Sequence, residues 1–134
     1  MRGLGYLASP YMHESEIMRE ARFKAVAYIG AQLMHQGFHI ICPISMCHPM
    51  TISPCSLPGD FEFWGELDKN LISRCDYFII ATIPGWKRSS GIKREYEIAR
   101  AFGQEMFLVK LGDEYKVLGV ERKDHAEVYA ALEW

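Results

Sequence analysis

A parallel α/β sheet with helices on both faces is the fold class predicted for this 134-residue chain. Two observations predict it. Short apolar runs alternate with helix-like stretches, the pattern that builds strand–helix–strand units. One run, residues 76–83 (DYFIIATI), is apolar almost throughout, which marks a central strand covered on both faces. The length suits a single domain, 1–134, with a proper core.

Each element has its own signal. Residues 3–8 (GLGYLA) read as a strand that stops at Ser9-Pro10, because proline donates nothing to a ladder. Residues 14–36 read as a helix closed by Gly37. Its main apolar face is Ile17, Ala21, Ala25, Tyr28, Ile29 and Leu33. A second stripe, Phe23, Ala27, Gly30 and Met34, suits either a subunit contact or a loop of the same chain. Residues 38–42 (FHIIC) form the next strand. Residues 43–59 hold four prolines and little periodicity, and read as a long loop of the kind that often binds ligands.

Asp60 caps a helix predicted to run to about Cys75. After the central strand, the loop PGWKRSSG leads into a helix from about Gly91 to Phe102, ended by Gly103. MFLVKL (106–111) is a buried strand, YKVLGV an edge strand, and residues 123–132 a last helix. Ligands of such sheets bind beyond the carboxyl ends of the strands. That edge collects Ser9–His13, the 43–59 loop, residues 84–91 and residues 111–114.

Composition excludes several roles. A formal net charge of −2 provides no basic field for a nucleic acid or a membrane surface. No apolar run reaches transmembrane length, and the first residues lack signal-peptide form. Cys42, Cys47, Cys55 and Cys75 make no CxxC pair, so reduced thiols and a cytoplasmic location are expected. Cys47, His48 and Cys55 share one segment, but their spacing fits no familiar zinc site. No metal and no cofactor is expected.

Two carboxylates are out of pattern. At 100° per residue, Ile92, Tyr96, Ile98, Ala99 and Phe102 define one apolar arc, and Glu95 falls inside it while Glu97 does not. In the preceding helix, Phe61, Trp64, Leu67, Leu71, Ile72 and Cys75 define the arc, and Asp68 lies near its middle. An unpaired carboxylate is costly to bury, so two beside one strand point to a site. Pairing with Arg74, Lys93 or Arg94 is the alternative. Read as first-turn, Glu95 is expected to be held charged by the helix dipole. Lys87, Arg88, Ser89, Ser90 and Gly91 offer cations, hydroxyls and backbone N–H groups at a helix start, a seat for phosphate. Trp64 and Trp86 could each stack on a base. Trp64 is assigned to the core by default, whereas Trp86 and Tyr11 lie at the ligand edge. His13 and His48 lie there too, without forming a Ser-His-Asp set with Ser9.

These residues resemble a family. YLASPY near the start, Asp68 and Asp76 with seven residues between them, and Ser89, Glu95 and Ala99 after an apolar strand resemble the nucleoside 2-deoxyribosyltransferase family. The run from Gly85 to Glu95, GW-x-x-S-x-G-x-x-x-E, is closest to a branch of bacterial and phage proteins within that superfamily, a domain of unknown function. The resemblance implies a flavodoxin-like three-layer sandwich with a central parallel sheet of four or five strands in the order 2-1-3-4-5. It implies that Glu95 attacks C1′ of the sugar, that Asp68 engages the base, and that Tyr6 lies beside the nucleophile. Ser9, Tyr11, Trp86, Ser89, Ser90 and Gly91 are then the substrate-binding candidates. Serine at position 89, where transferases carry aspartate, inclines the substrate towards a nucleoside 5′-monophosphate.

The expectation is an N-glycosidic enzyme, a deoxyribosyltransferase or a 5′-monophosphate N-glycosidase, acting as a homodimer or higher homo-oligomer. The alternatives are a non-catalytic nucleotide-binding or sensor module, and an interaction domain whose acids are salt-bridged.

Overall fold

In the computed structural model, which describes residues 3–58 and 60–134, five strands form one sheet in the order β2-β1-β3-β4-β5. The strands are β1 (Gly5–Ala8), β2 (Ile40–Ile41), β3 (Tyr77–Ile80), β4 (Glu105–Leu111) and β5 (Val117–Lys123). The first four run parallel, and β5 pairs antiparallel with β4 at one edge. This is the flavodoxin-like arrangement. Met1, Arg2 and Gly59, the last at the end of the predicted 43–59 loop, lie outside the described residues.

The pleat sorts the core into two layers, since successive side chains point to opposite faces. Tyr6, Phe78, Ile80 and Met106 point to one face, where they meet Ile72, Ile92, Tyr96 and Val128. Those four partners belong to α3 (Phe61–Ser73), α4 (Ser90–Ala101) and α5 (His125–Ala131). Leu7, Ile79, Phe107 and Val109 point to the other face, against Val26, Ile29 and Leu33 of α1 (Glu16–His35). The same alternation sends Tyr6 towards α3 and α4, the two helices that carry Asp68 and Glu95. Gly5 permits close packing at the start of β1: a Cβ there would sit 2.3 Å from the Tyr77 ring.

Ser15 caps α1, accepting from the Met18 N–H. Its buried stripe is Ala25, Val26, Ile29, Gly30 and Leu33. Ile17 and Tyr28, placed on that face by periodicity, are exposed. The predicted second stripe is covered in part by the chain itself. Gly30 faces Ile40 and Leu7, and the Phe23 ring stacks on His48 at 4.4 Å.

Residues 43–59 depart from expectation. Instead of one long loop, the segment begins with α2 (Pro43–Thr51). Proline is compatible with this helix because Pro43 stands at its start, where no N–H is needed. Pro49 falls in the last turn of this short helix. Strand β2 shrinks to two residues, and the helix after β3 begins at Ser90, one residue earlier than predicted.

Candidate active site

A cavity of about 430 Å³ opens at the carboxyl end of β1, beside the loop that follows β3. Between β1 and β3 the strand order reverses, which is where doubly wound sheets leave a crevice. Asp68 and Glu95 both line it, as do Ser9, Tyr11, Ser89, Ser90 and Gly91. Tyr6 lies beneath, fully buried. Its hydroxyl donates to Glu95 Oε2, and its ring stacks on Phe78 at 5.8 Å.

Glu95 reaches the cavity because helical side chains lean towards the N-terminus. It is the sixth residue of α4, yet its Oε1 lies 3.9 Å from where a Cβ on Gly91 would sit. Ser89 fixes that helix start, its Oγ accepting from the Ile92 N–H at 3.2 Å. Asp68 comes from the middle of α3, whose N-cap Asp60 accepts from Phe63 N–H at 2.9 Å.

Burial dominates the electrostatics. The Glu95 carboxyl is pushed up to about 8, first by loss of solvent and then by the charge of Asp68, while the Tyr6 hydrogen bond pulls it back. Asp68 is pushed up to about 6 by burial, with the Tyr6 hydroxyl acting the other way. Tyr6 itself is held well above the ordinary phenol range by burial and by both carboxylates. The expectation that the dipole keeps Glu95 charged is therefore corrected. The residue lies in the second turn of α4, beyond the reach of the helix end, and desolvation wins. With the two values about two apart, the pair shares one proton between about pH 6 and 8, and Tyr6 donates its hydrogen to Glu95.

Among the described residues, neither Asp68 nor Glu95 takes part in a salt bridge. The reading of two acids neutralised by arginines thus finds no support. No group of three His, Cys, Asp or Glu side chains is arranged to hold a metal ion among the described residues. No helix among them is long and apolar enough to cross a membrane.

The other predicted residues are placed less uniformly. The Ser9 hydroxyl donates to Pro10 O at 3.2 Å and is buried. The two tryptophans differ from expectation. Trp86 does not line this cavity. It packs against the core on the Tyr6 side of the sheet and borders a separate hollow with Lys87. Trp64, assigned to the core, lines the cavity instead, its indole N–H donating to Pro58 O. A tryptophan on a partly buried helix face satisfies both readings until the neighbouring layer is known.

Sequence reasoning missed Arg22 and the wall made by α2. Ile44, Cys47, His48 and Thr51 all line the cavity, and their i, i+3, i+4, i+7 spacing is the signal that would have revealed a helix. Arg22 lines the cavity as well, with Nη1 donating to Met12 O at 2.9 Å. Its Nη2 lies 2.9 Å from where a Cβ on Gly85 would sit, and Gly85 has φ +97°. That backbone conformation and that close approach together require glycine there.

Fold and cavity define a flavodoxin-like α/β protein with two carboxylates at the crevice between β1 and β3, the buried one, Glu95, bonded to the Tyr6 hydroxyl. The chain belongs to the family described as Domain of unknown function (DUF1937), whose profile matches residues 3–111. The match takes in every residue of the carboxylate cluster and stops at the end of β4. No curated protein matches the chain.

Proposed function

We propose that this protein cleaves or transfers the N-glycosidic bond of a nucleoside or nucleoside 5′-monophosphate, as its resemblance to nucleoside 2-deoxyribosyltransferases implies. The observation that carries the reading is the Tyr6–Glu95 hydrogen bond beneath a cavity that Asp68 also faces. In the reactive arrangement the shared proton rests on Asp68 and Glu95 is ionised. The Glu95 carboxylate bonds to C1′ as the C1′–N bond breaks, and the Asp68 proton goes to the departing base. Water, or a second base, then attacks C1′ and gives its proton to Asp68, and the C1′–O bond to Glu95 breaks. Tyr6 positions Glu95 and stabilises its charge. Ser89, Ser90 and Gly91, at the start of α4, receive sugar or phosphate oxygens, with Arg22 as a further cation on the cavity lining. The cavity size lies within the usual range for small-molecule sites.

A second reading, binding without turnover, draws on the raised pKa of Glu95. A carboxyl that stays protonated in the empty cavity can donate a hydrogen bond to a bound nucleotide and need never attack it. Free thiols at all four cysteines suit the cytoplasm, and a homodimer remains the proposed assembly.

The test incubates the parent protein and Glu95→Ala with 2′-deoxynucleosides and their 5′-monophosphates, and measures free base by chromatography. The enzyme reading expects base release from at least one, reduced about a thousandfold or more in the variant, in line with loss of a nucleophile. Equal release by both proteins would remove Glu95 from the mechanism. Calorimetric binding of a nucleotide with no free base would select the sensor.

A further inference from the structure

The wall opposite the carboxylate pair carries its own hydrogen-bonded chain. Tyr11 Oη lies 2.5 Å from His48 Nδ1, and His48 Nε2 lies 2.6 Å from Glu20 Oε2. Tyr11 and His48 line the cavity, whereas Glu20 is 42% exposed on α1. The imidazole is fixed: it is only 4% exposed, stacks on Phe23 and meets the Tyr11 ring edge-on at 5.5 Å. An acid, an imidazole and a hydroxyl in series are the parts of a proton-handling triad, which is recognised by geometry and not by chain order.

Donor and acceptor inventories set the direction of the chain. A carboxylate only accepts, so the imidazole carries its hydrogen on Nε2 and donates it to Glu20. In the neutral ring Nδ1 is then a lone pair, and the Tyr11 hydroxyl spends its only hydrogen on it. What Tyr11 has left for the cavity is oxygen lone pairs. The Ser89–Gly91 side, by contrast, offers hydroxyls and N–H groups.

We infer that Glu20 and His48 hold Tyr11 as a hydrogen-bond acceptor in the cavity, reading a hydroxyl or amino donor of the ligand. A ligand presenting an acceptor at that point would face lone pairs with no hydrogen between them, and a buried mismatch of this kind discriminates strongly. Tyr11 is thus a specificity-determining residue, and His48 and Glu20 are positioning residues that act through it. Assigning the donor to a sugar 3′-hydroxyl or to an exocyclic amine rests on the proposed nucleotide function. The direction of the hydrogen bonds does not.

The experiment has two arms. In the first, nitrogen-15 NMR of histidine-labelled protein reads the tautomer of neutral His48. The expected result is Nε2–H, with an Nδ1 resonance that shifts in Tyr11→Phe. An Nδ1–H tautomer overturns the inference whether or not any nucleotide is a substrate. The second arm compares 2′-deoxyadenosine 5′-monophosphate with 2′-deoxyinosine 5′-monophosphate, which lacks the amine, and with 2′,3′-dideoxyadenosine 5′-monophosphate, which lacks the 3′-hydroxyl. Base release is followed, or calorimetric affinity where no base is released. The parent is expected to disfavour one of the two analogues at least tenfold, Tyr11→Phe to erase that preference, and His48→Asn to retain it, since an amide oxygen can accept the Tyr11 hydrogen. A preference unchanged in Tyr11→Phe overturns the inference. Absence of base release from every compound counts against the enzyme reading alone.

Discussion

Two tyrosines, one on β1 and one just beyond it, serve opposite walls of one cavity, and their surroundings differ. Tyr6 is fully buried and donates to a carboxyl that has lost its water. Tyr11 is partly exposed and belongs to a chain that ends at a carboxylate in solvent. The first wall keeps ionisable groups in a costly state, and the second returns its charge to water. At Glu95 and Asp68 burial outweighs the opposing hydrogen bond, so the first wall is expected to govern how the protein responds to pH.

The largest effect expected from that difference is on stability. Glu95 has its folded-state pKa raised from 4.5 to about 8. Over that window the folded protein keeps a proton that the unfolded chain has lost. The resulting stability is complete below pH 4.5 and is lost as pH rises towards 8. The loss is on the order of 5 kcal/mol, and chemical denaturation at a series of pH values measures it. Glu95→Gln, which cannot ionise, is expected to remove this part of the dependence and leave the smaller part that Asp68, raised from 3.8 to about 6, adds at lower pH. Glu20→Gln on the opposite wall is expected to leave it in place. If both variants flattened it equally, the contrast between the walls would fail.

Activity sharpens the same contrast. If the singly protonated pair is the reactive form, kcat/KM for base release follows a bell with limbs near 6 and 8, which belong to the pair and not to either residue. Asp68→Asn should remove the bell, whereas His48→Asn should change its height more than its shape. A profile rising steadily through both values would break the assignment.

Smaller effects test single contacts. Tyr6→Phe leaves Glu95 Oε2 without its donor and should cost about 1–3 kcal/mol of folding stability, read from denaturant midpoints. Ser89→Ala removes the cap of α4 and should cost about 1 kcal/mol by the same measurement. Glu20→Gln, at a partly exposed carboxylate, should fall within about 1 kcal/mol.

Much of the fold was legible because its signals are local. The near-continuous apolar run of residues 76–83 marks a sheet interior, and β3 lies there with every residue buried. Helix phase separated Glu95 from Glu97 and Asp68 from Glu66, and the structure places both chosen acids at the cavity. What escaped depended on contacts between distant segments. Glu20 and His48 lie 28 residues apart and meet only because α2 packs against α1. The protonation of Glu95 depends on how completely α3 and β1 cover it, which no periodicity in α4 records. Helix α2 is masked for a different reason: its prolines stand at the start and in the last turn, where a short helix tolerates them.

Gln104, just ahead of β4, fixes one of these parts from a distance. Its side-chain amide donates to the carbonyl oxygens of Ile72 and Cys75, pinning the far end of α3 to the approach to β4. Trp64, near the other end, lies about 13 Å from that pin at 1.5 Å per residue, with Asp68 between them. The position of Asp68 beside Glu95 is thus set from the end of α3 remote from Trp64, by a side chain that does not line the cavity.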